Sequence, residues 1–238
     1  MALCYHGTPM TPNAAFEQVM RQRAACVSFF RPDQTTLAEQ LCAFLMYDNG
    51  AFSYWMQAVR AGADPMDAGR QDWSAYYAWL DQRLWQPGRW AIIPDKPAAP
   101  SQLNDGLLNE WPHGTSRGAP VWHMDGPIDR LGRLCERYDR VCLGWIGDPK
   151  LEPVGCDAYR WKMDEVAALM GNRWHPLHML RGVLVGSDYP FVSCDSTSLA
   201  QNGHRYDWQD RQADLFVEAH AAWRGRRNYA DRLEAMAA

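Results

Sequence analysis

Eight short apolar segments, separated mostly by stretches of helical periodicity, predict an α/β protein folded as a single (β/α)8 TIM-type barrel. Two further observations point the same way. Polar residues collect just after those segments (His6, Arg31, Asp48, Asp95, Asp125, Asp148, Arg181 and Asp195), and in a parallel barrel all such positions converge on one face. The length of 238 residues and the 47% hydrophobic content suit one compact domain over 1–238. An open doubly wound sheet is the alternative, and it would separate the first acids from the last.

The elements follow in order. Leu3–His6 is a brief strand leading to the turn Gly7-Thr8-Pro9, and a helix runs from about Asn13 to Arg23. Ala25–Phe30 is the second strand, ended by Arg31-Pro32-Asp33, and Gln34–Leu41 is helical. Ala43–Tyr47 is the third strand, delivering Asp48; a helix starts near Ser53, and Asp64–Gly69 is a loop. Trp73, Tyr76, Tyr77, Leu80 and Leu84 recur at helical spacing. Trp90–Ile93 is the fourth strand, ending on Pro94-Asp95. The proline-bearing stretch 96–120 has room for a short helix at Leu103–Trp111. Val121–Met124 is the fifth strand, Ile128–Tyr138 a helix, and Val141–Ile146 the sixth strand, ending on Gly147-Asp148-Pro149. A helix near Met163–Met170 precedes Leu177–Leu180, the seventh strand. Phe191–Cys194 is the eighth, and Val183–Pro190 between them has little room for a helix. The tail 208–238 is amphipathic and expected to pack helically on the barrel.

Composition narrows the function classes. The net charge of −4 argues against a protein that coats nucleic acid indiscriminately. Only Lys96, Lys150 and Lys162 of the 24 basic residues are lysine; arginine suits bidentate phosphate contacts, but a GC-rich genome gives the same bias. Seven scattered cysteines lack C-x-x-C or Cys/His spacing, so reduced thiols and no metal site are expected. His175 and His178 lie three apart without an acid or cysteine to complete a ligand set. No apolar run is long enough for a membrane span and the start lacks a signal-peptide pattern, so a cytoplasmic enzyme without membrane contact is expected.

Two stretches share one design. In Phe44–Ser53 and in Phe191–Gly203 an apolar strand ends on an acid, Asp48 or Asp195, and dissolves into small polar residues. Each has a plainer reading: Asp48-Asn49-Gly50 is also an ordinary turn, and Asp195-Ser196-Thr197 an ordinary cap. Asp95 before Lys96-Pro97 is equally compatible with a solvated turn, and His123 with a satisfied interior histidine. Arg224-Gly225-Arg226-Arg227 reads as a solvated helix face or a phosphate contact.

Tyr47-Asp48-Asn49-Gly50-Ala51-Phe52 resembles the Asp-Ser-Gly-Gly-Phe motif of queuine and archaeosine tRNA-guanine transglycosylases, and Asp195-Ser196-Thr197-Ser198 resembles the loop carrying their nucleophilic aspartate. In size and wording the chain is most similar to the DpdA-like branch, which puts 7-deazaguanines into DNA. That resemblance implies Asp195 as nucleophile at C1′ and Asp48 as the acid that protonates the departing guanine and deprotonates the incoming base. It implies Asp95 as the base-recognising acid, with backbone near Gly144 touching the base. Asn49, Gly50, Ser196 and His123 complete the expected substrate-binding set. Phe52, Trp122 or Tyr47 would sandwich a flipped-out or single-stranded guanine. The partners implied are DNA and a free 7-deazaguanine such as a queuosine precursor, with no cofactor. The tRNA enzymes carry a C-terminal Cys/His zinc site, and nothing of that kind follows Asp195, so a barrel without a zinc subdomain is expected. The rival readings are a nucleoside glycosidase or deoxyribosyltransferase, a tRNA-guanine transglycosylase, and a catalytically silent nucleic-acid-binding barrel.

Overall fold

The computed structural model describes residues 2–69, 72–147 and 150–206. Nine strands form one all-parallel sheet: β1 (Leu3–Gly7), β2 (Ala24–Ser28), β3 (Phe44–Asp48), β4 (Arg89–Ile92), β5 (Gly118–Ala119), β6 (Val121–His123), β7 (Val141–Gly144), β8 (Leu177–Met179) and β9 (Ser193–Ser196). Their order is β5-β4-β3-β2-β1-β9-β8-β7-β6. The first strand therefore lies beside the last, and the two ends of the order are separated in sequence by Pro120 alone. The result is a nearly closed, barrel-like sheet.

Pro120 explains why closure is interrupted. It has no N–H to give to a ladder, so it splits one extended segment into β5 and β6. Pairing continues on both sides of it: Ile93 N–H donates to Ala119 O, and Cys142 N–H donates to Pro120 O, each at 2.9 Å. The sequence pattern starts the fifth strand at Val121; β5 lies just before it, across a proline that has the look of a strand boundary.

The period-2 pleat sorts the strand residues into two layers. Tyr5, Ala24, Cys26, Met46, Trp90, Ile92, Ala119, Val121 and Cys142 form one apolar cluster inside the sheet. Their alternating neighbours, among them Cys4, Val27, Leu45, Tyr47, Ala91, Trp122, Leu143 and Cys194, join a larger cluster with the helices. The interior is filled by rings: Trp90 Nε1–H donates to Tyr5 Oη at 3.0 Å, the two rings meet edge to face, and the Arg140 guanidinium lies 4.3 Å over Trp90.

Among the described residues, eight α-helices accompany the strands: α1 (Asn13–Met20), α2 (Thr35–Leu41), α3 (Ala51–Arg60), α4 (Ser74–Asp81), α5 (Ser101–Glu110), α6 (Ile128–Arg137), α7 (Asp157–Met170) and α8 (Ser198–Asn202). The Cys156 side chain accepts from Tyr159 N–H at the head of α7, which starts six residues before the expected helix. Mixed aromatic and charged residues hid that first part. The link from β8 to β9 is made of turns and carries no helix, so strict strand–helix alternation fails there. Tyr76 of α4 straps the sheet, its hydroxyl reaching Tyr47 O at 3.1 Å and Ile92 O at 2.9 Å. All seven cysteines are free thiols. No helix among the described residues is long and apolar enough to cross a membrane. Asp148, the tail 208–238 and its arginine cluster lie outside the described residues.

Closure leaves no room at Gly118. A Cβ there would sit 2.5 Å from the Trp111 indole and 2.8 Å from Ile93 Cγ1. Gly118→Ala is therefore expected to destabilise the protein by about 1–3 kcal/mol through overpacking. Urea denaturation checks this; an unchanged midpoint would contradict the tight closure.

Candidate functional site

Parallel strands bring all their C-terminal ends to the same end of the sheet, and three carboxylates collect there. Asp48 is the last residue of β3, and Asp95 lies three residues beyond β4. Asp195 belongs to β9 itself, a correction to the expected position in a loop after the strand: β9 begins two residues later than the apolar run Phe191–Cys194 suggested. The inward register that carries Ser193 and Asp195 follows from Cys194 packing outward.

Asp195 is held through one oxygen. Its Oδ1 accepts the Arg181 backbone N–H at 2.8 Å and lies 3.3 Å from His178 Nε2. Oδ2 has no partner among the described residues. His178 is fully buried, between the Tyr5 and Trp90 rings, and its Nδ1 lies 2.8 Å from Ser193 Oγ. Burial lowers its pKa, against the opposing pull of Asp195, which favours the neutral ring. A neutral ring satisfies both contacts if Nε2–H donates to Asp195 and Nδ1 accepts from the Ser193 hydroxyl. Sequence reasoning weighed His178 only as a metal ligand. The signal that finds it is the pleat, since His178, Ser193 and Asp195 share the inward face of adjacent strands, with His178 opposite Ser193 in register.

Arg181 presents its amide to Asp195 from a left-handed backbone, φ 55°. That conformation costs a non-glycine residue about 1–2 kcal/mol. The following turn is tight, because a Cβ on Gly182 would collide with the Met179 side chain.

Asp48 sits in a different environment. Burial pushes its carboxyl up to about 6; the Ser28 hydroxyl and the Gly50 N–H pull it down, and the negative charges of Asp195 and Asp95 add to the rise. Ser28 stands directly opposite Asp48 in the β2–β3 register. Gly50 (φ 74°) makes the turn, where a Cβ would lie 2.8 Å from Phe30 Cβ.

Asp95 is enclosed by polar partners. Asn49 Nδ2 donates to Asp95 Oδ1 at 3.0 Å and to Ile93 O at 3.0 Å, while Asn49 Oδ1 accepts from Ala51 N–H. His123 Nε2 lies 2.8 Å from Asp95 Oδ2. Asn104 of α5 fastens the next turn by accepting Lys96 N–H at 2.8 Å and donating to Lys96 O. Asn49 and Asn104 thus hold the acid's loop from both sides, and Asn104 carried no signal in the sequence. Gly144 lies beside His123 in register, and a Cβ there would meet Val121 Cγ1 at 3.0 Å and His123 Cδ2 at 3.4 Å. The absent side chain leaves backbone beside His123.

The other expected residues stand elsewhere. Trp122 and Tyr47 point outward and are fully buried against the helices; Trp122 Nε1–H donates to Pro127 O, and the Tyr47 hydroxyl to Glu39 Oε1. Neither is placed to sandwich a base at the strand ends. The Ser196 hydroxyl accepts Ser198 N–H at the start of α8. Phe52 is 47% exposed, and the Arg181 guanidinium lies 5.0 Å from its ring centre. His6 falls on the outward register with Cys4, Arg31 is ion-paired to Asp33 at the surface, and Asp125 is exposed. Among the described residues no group of three or more His, Cys, Asp or Glu side chains is arranged to hold a metal.

Comparison with family models, with curated proteins and with solved structures returned no match.

The raised pKa of Asp48 has a consequence for stability. Its folded value lies above the unfolded one, so its contribution is full below about pH 4 and is lost as pH rises through about 6. Asp48→Asn removes that loss. The variant is expected to be more stable than the parent at pH 8, by on the order of 2 kcal/mol, with the gain vanishing near pH 4. Urea denaturation at both pH values measures it. An equal difference at the two would show that Asp48 does not titrate as its surroundings imply.

Proposed function

We propose that the protein is a base-exchange transglycosylase that replaces guanine in DNA with a 7-deazaguanine through a covalent aspartyl–glycosyl intermediate. The observation that carries this reading is the asymmetry of Asp195: one oxygen held by the Arg181 N–H and the His178 ring, the other without a partner among the described residues, near a second carboxyl pushed up to about 6. A nucleophile needs a fixed side chain and a free lone pair, and its partner must hold a proton near neutral pH. The likeness of the Asp48 and Asp195 stretches to the DNA branch of the guanine transglycosylases supplies the substrate class.

The step balances with these two groups alone. Asp195 Oδ2 attacks C1′ as the C1′–N9 bond breaks; the bonding pair goes to the purine, which takes the Asp48 proton as it leaves. The incoming 7-deazaguanine then gives its N9 proton to Asp48, and N9 attacks C1′, expelling the Asp195 carboxylate. Asp95, positioned by Asn49 and His123, accepts hydrogen bonds from the purine's N–H groups, and the bare backbone at Gly144 leaves space for the ring. Counting Gly118–Ala119 and Val121–His123 as one strand broken by Pro120 supports reading the sheet as an eight-stranded TIM-type barrel.

The test is incorporation of labelled 7-deazaguanine into guanine-containing DNA. Asp195→Ala is expected to abolish exchange. Asp48→Asn is expected to slow it by roughly 10²–10⁴-fold and to flatten a pH profile that otherwise declines above about 6. An Asp195→Ala enzyme exchanging at the parental rate would end the proposal. Activity on free deoxyguanosine but not on DNA would move the reading to the nucleoside enzymes.

A further inference from the structure

We infer that Arg181 forms a phosphate-binding position at the rim of this site and selects a nucleotide over a free nucleoside. The inference rests on the reading in which Asp195 attacks C1′. The starting point is that one residue does two things. Its backbone N–H holds Asp195 Oδ1 at 2.8 Å, and its side chain runs outward to the surface, where Nη2–H donates to Trp145 O at 2.7 Å. The left-handed backbone at Arg181 is what lets amide and side chain diverge in this way.

The guanidinium has no carboxylate partner among the described residues. It rests instead on the half-exposed ring of Phe52, in the first turn of α3. Stacking on an aromatic face and one carbonyl contact fix the plane of the fork while leaving most of its five donors for a ligand. By contrast, Arg31, at the end of β2, is neutralised by Asp33.

Charge sorting identifies the ligand. Three carboxylates lie below the rim, so an anion cannot settle among them without strong repulsion. A nucleotide resolves the conflict because its parts differ in charge: the base and the electron-poor C1′ face the acids, and the phosphate stays outside. Since the Arg181 amide touches the carboxylate that attacks C1′, its guanidinium is tethered within one side-chain length of the sugar. A planar, fixed guanidinium is the side chain best matched to bidentate phosphate oxygens.

The phosphate belongs either to the reacting nucleotide or to the flanking linkage of a strand, and the experiment separates the two. Binding of a fluorescein-labelled, guanine-containing single-stranded oligonucleotide is measured by anisotropy at several salt concentrations. The proteins are the parent, Arg181→Gln and Arg181→Lys, with dGMP and deoxyguanosine as competitors. Arg181→Gln is expected to weaken oligonucleotide binding by roughly 10- to 100-fold. It is also expected to lower the magnitude of the log K against log salt slope by about 0.7, the value for one lost phosphate contact on a single strand. Arg181→Lys keeps the slope and loses part of the affinity, and deoxyguanosine competes equally well against parent and variants. A dGMP affinity that falls in step assigns the nucleotide's own phosphate; one that does not change assigns the flanking linkage. An unchanged salt slope, an equal loss for deoxyguanosine, or no oligonucleotide binding by the parent would overturn the inference. Because the readout needs no chemistry, an enzyme that shows the Arg181 pattern but exchanges no base would refute the transglycosylase reading and leave the phosphate position standing.

Discussion

The pairing of the first strand with the last is the constraint on which the rest of this end of the molecule depends. β1 and β9 run in register from Leu3 opposite Ser193 to His6 opposite Ser196. That ladder closes a loop containing nearly all the described chain, and its entropy must be met before any local contact repays it. Once it forms, Asp195 stands beside Tyr5, and the acid late in the sequence joins Asp48 and Asp95, which come early. Without it Asp195 would stand apart from Asp48 and Asp95, and its charge would not add to the rise in the Asp48 pKa.

Closure also fills the interior, and the filling sets the chemistry. Tyr5, Trp90 and His178 occupy the centre, with the Arg140 guanidinium against Trp90. Burial favours the neutral form of His178, whose ring lies against Asp195, and it pushes the Asp48 carboxyl up to about 6. Two carboxyls of the same residue type thus receive different tasks from their surroundings. One is fixed by N–H donors with an oxygen to spare; the other is desolvated and faces two like charges. The separation of roles that the proposed base exchange would demand can come from burial and hydrogen bonding, without any change of residue type.

Much of this was legible in the sequence, and the omissions have physical causes. The strands through β4 and the helices through α6 announced themselves by period and by punctuation, and Asp48-Asn49-Gly50 by its position after an apolar run. The strand Gly118–Ala119 did not, because two small residues before a proline carry no periodic signal; only the partners on both sides make them a strand. Asp195 was found but misplaced, since Phe191 and Val192 supplied the apolar run while the ladder begins at Ser193. Trp122 and Tyr47 looked like stacking platforms as residue types, and the pleat turns both outward. The two tasks of Arg181 were beyond reach because each is defined by a hydrogen bond to a residue distant in sequence, Asp195 or Trp145, and a single sequence does not contain that partner's position.

The central claim is that Asp195 Oδ2, which has no partner among the described residues, forms a bond to C1′. The most direct measurement is acid quenching of the protein with a guanine-containing oligonucleotide in the absence of incoming base, followed by proteolysis and tandem mass spectrometry of the adduct. The account predicts a deoxyribosyl ester carried on Asp195, absent from Asp195→Asn and discharged when 7-deazaguanine is added before the quench. An ester on Asp48 or Asp95, or exchange that proceeds with no protein-bound sugar at any time, would contradict it.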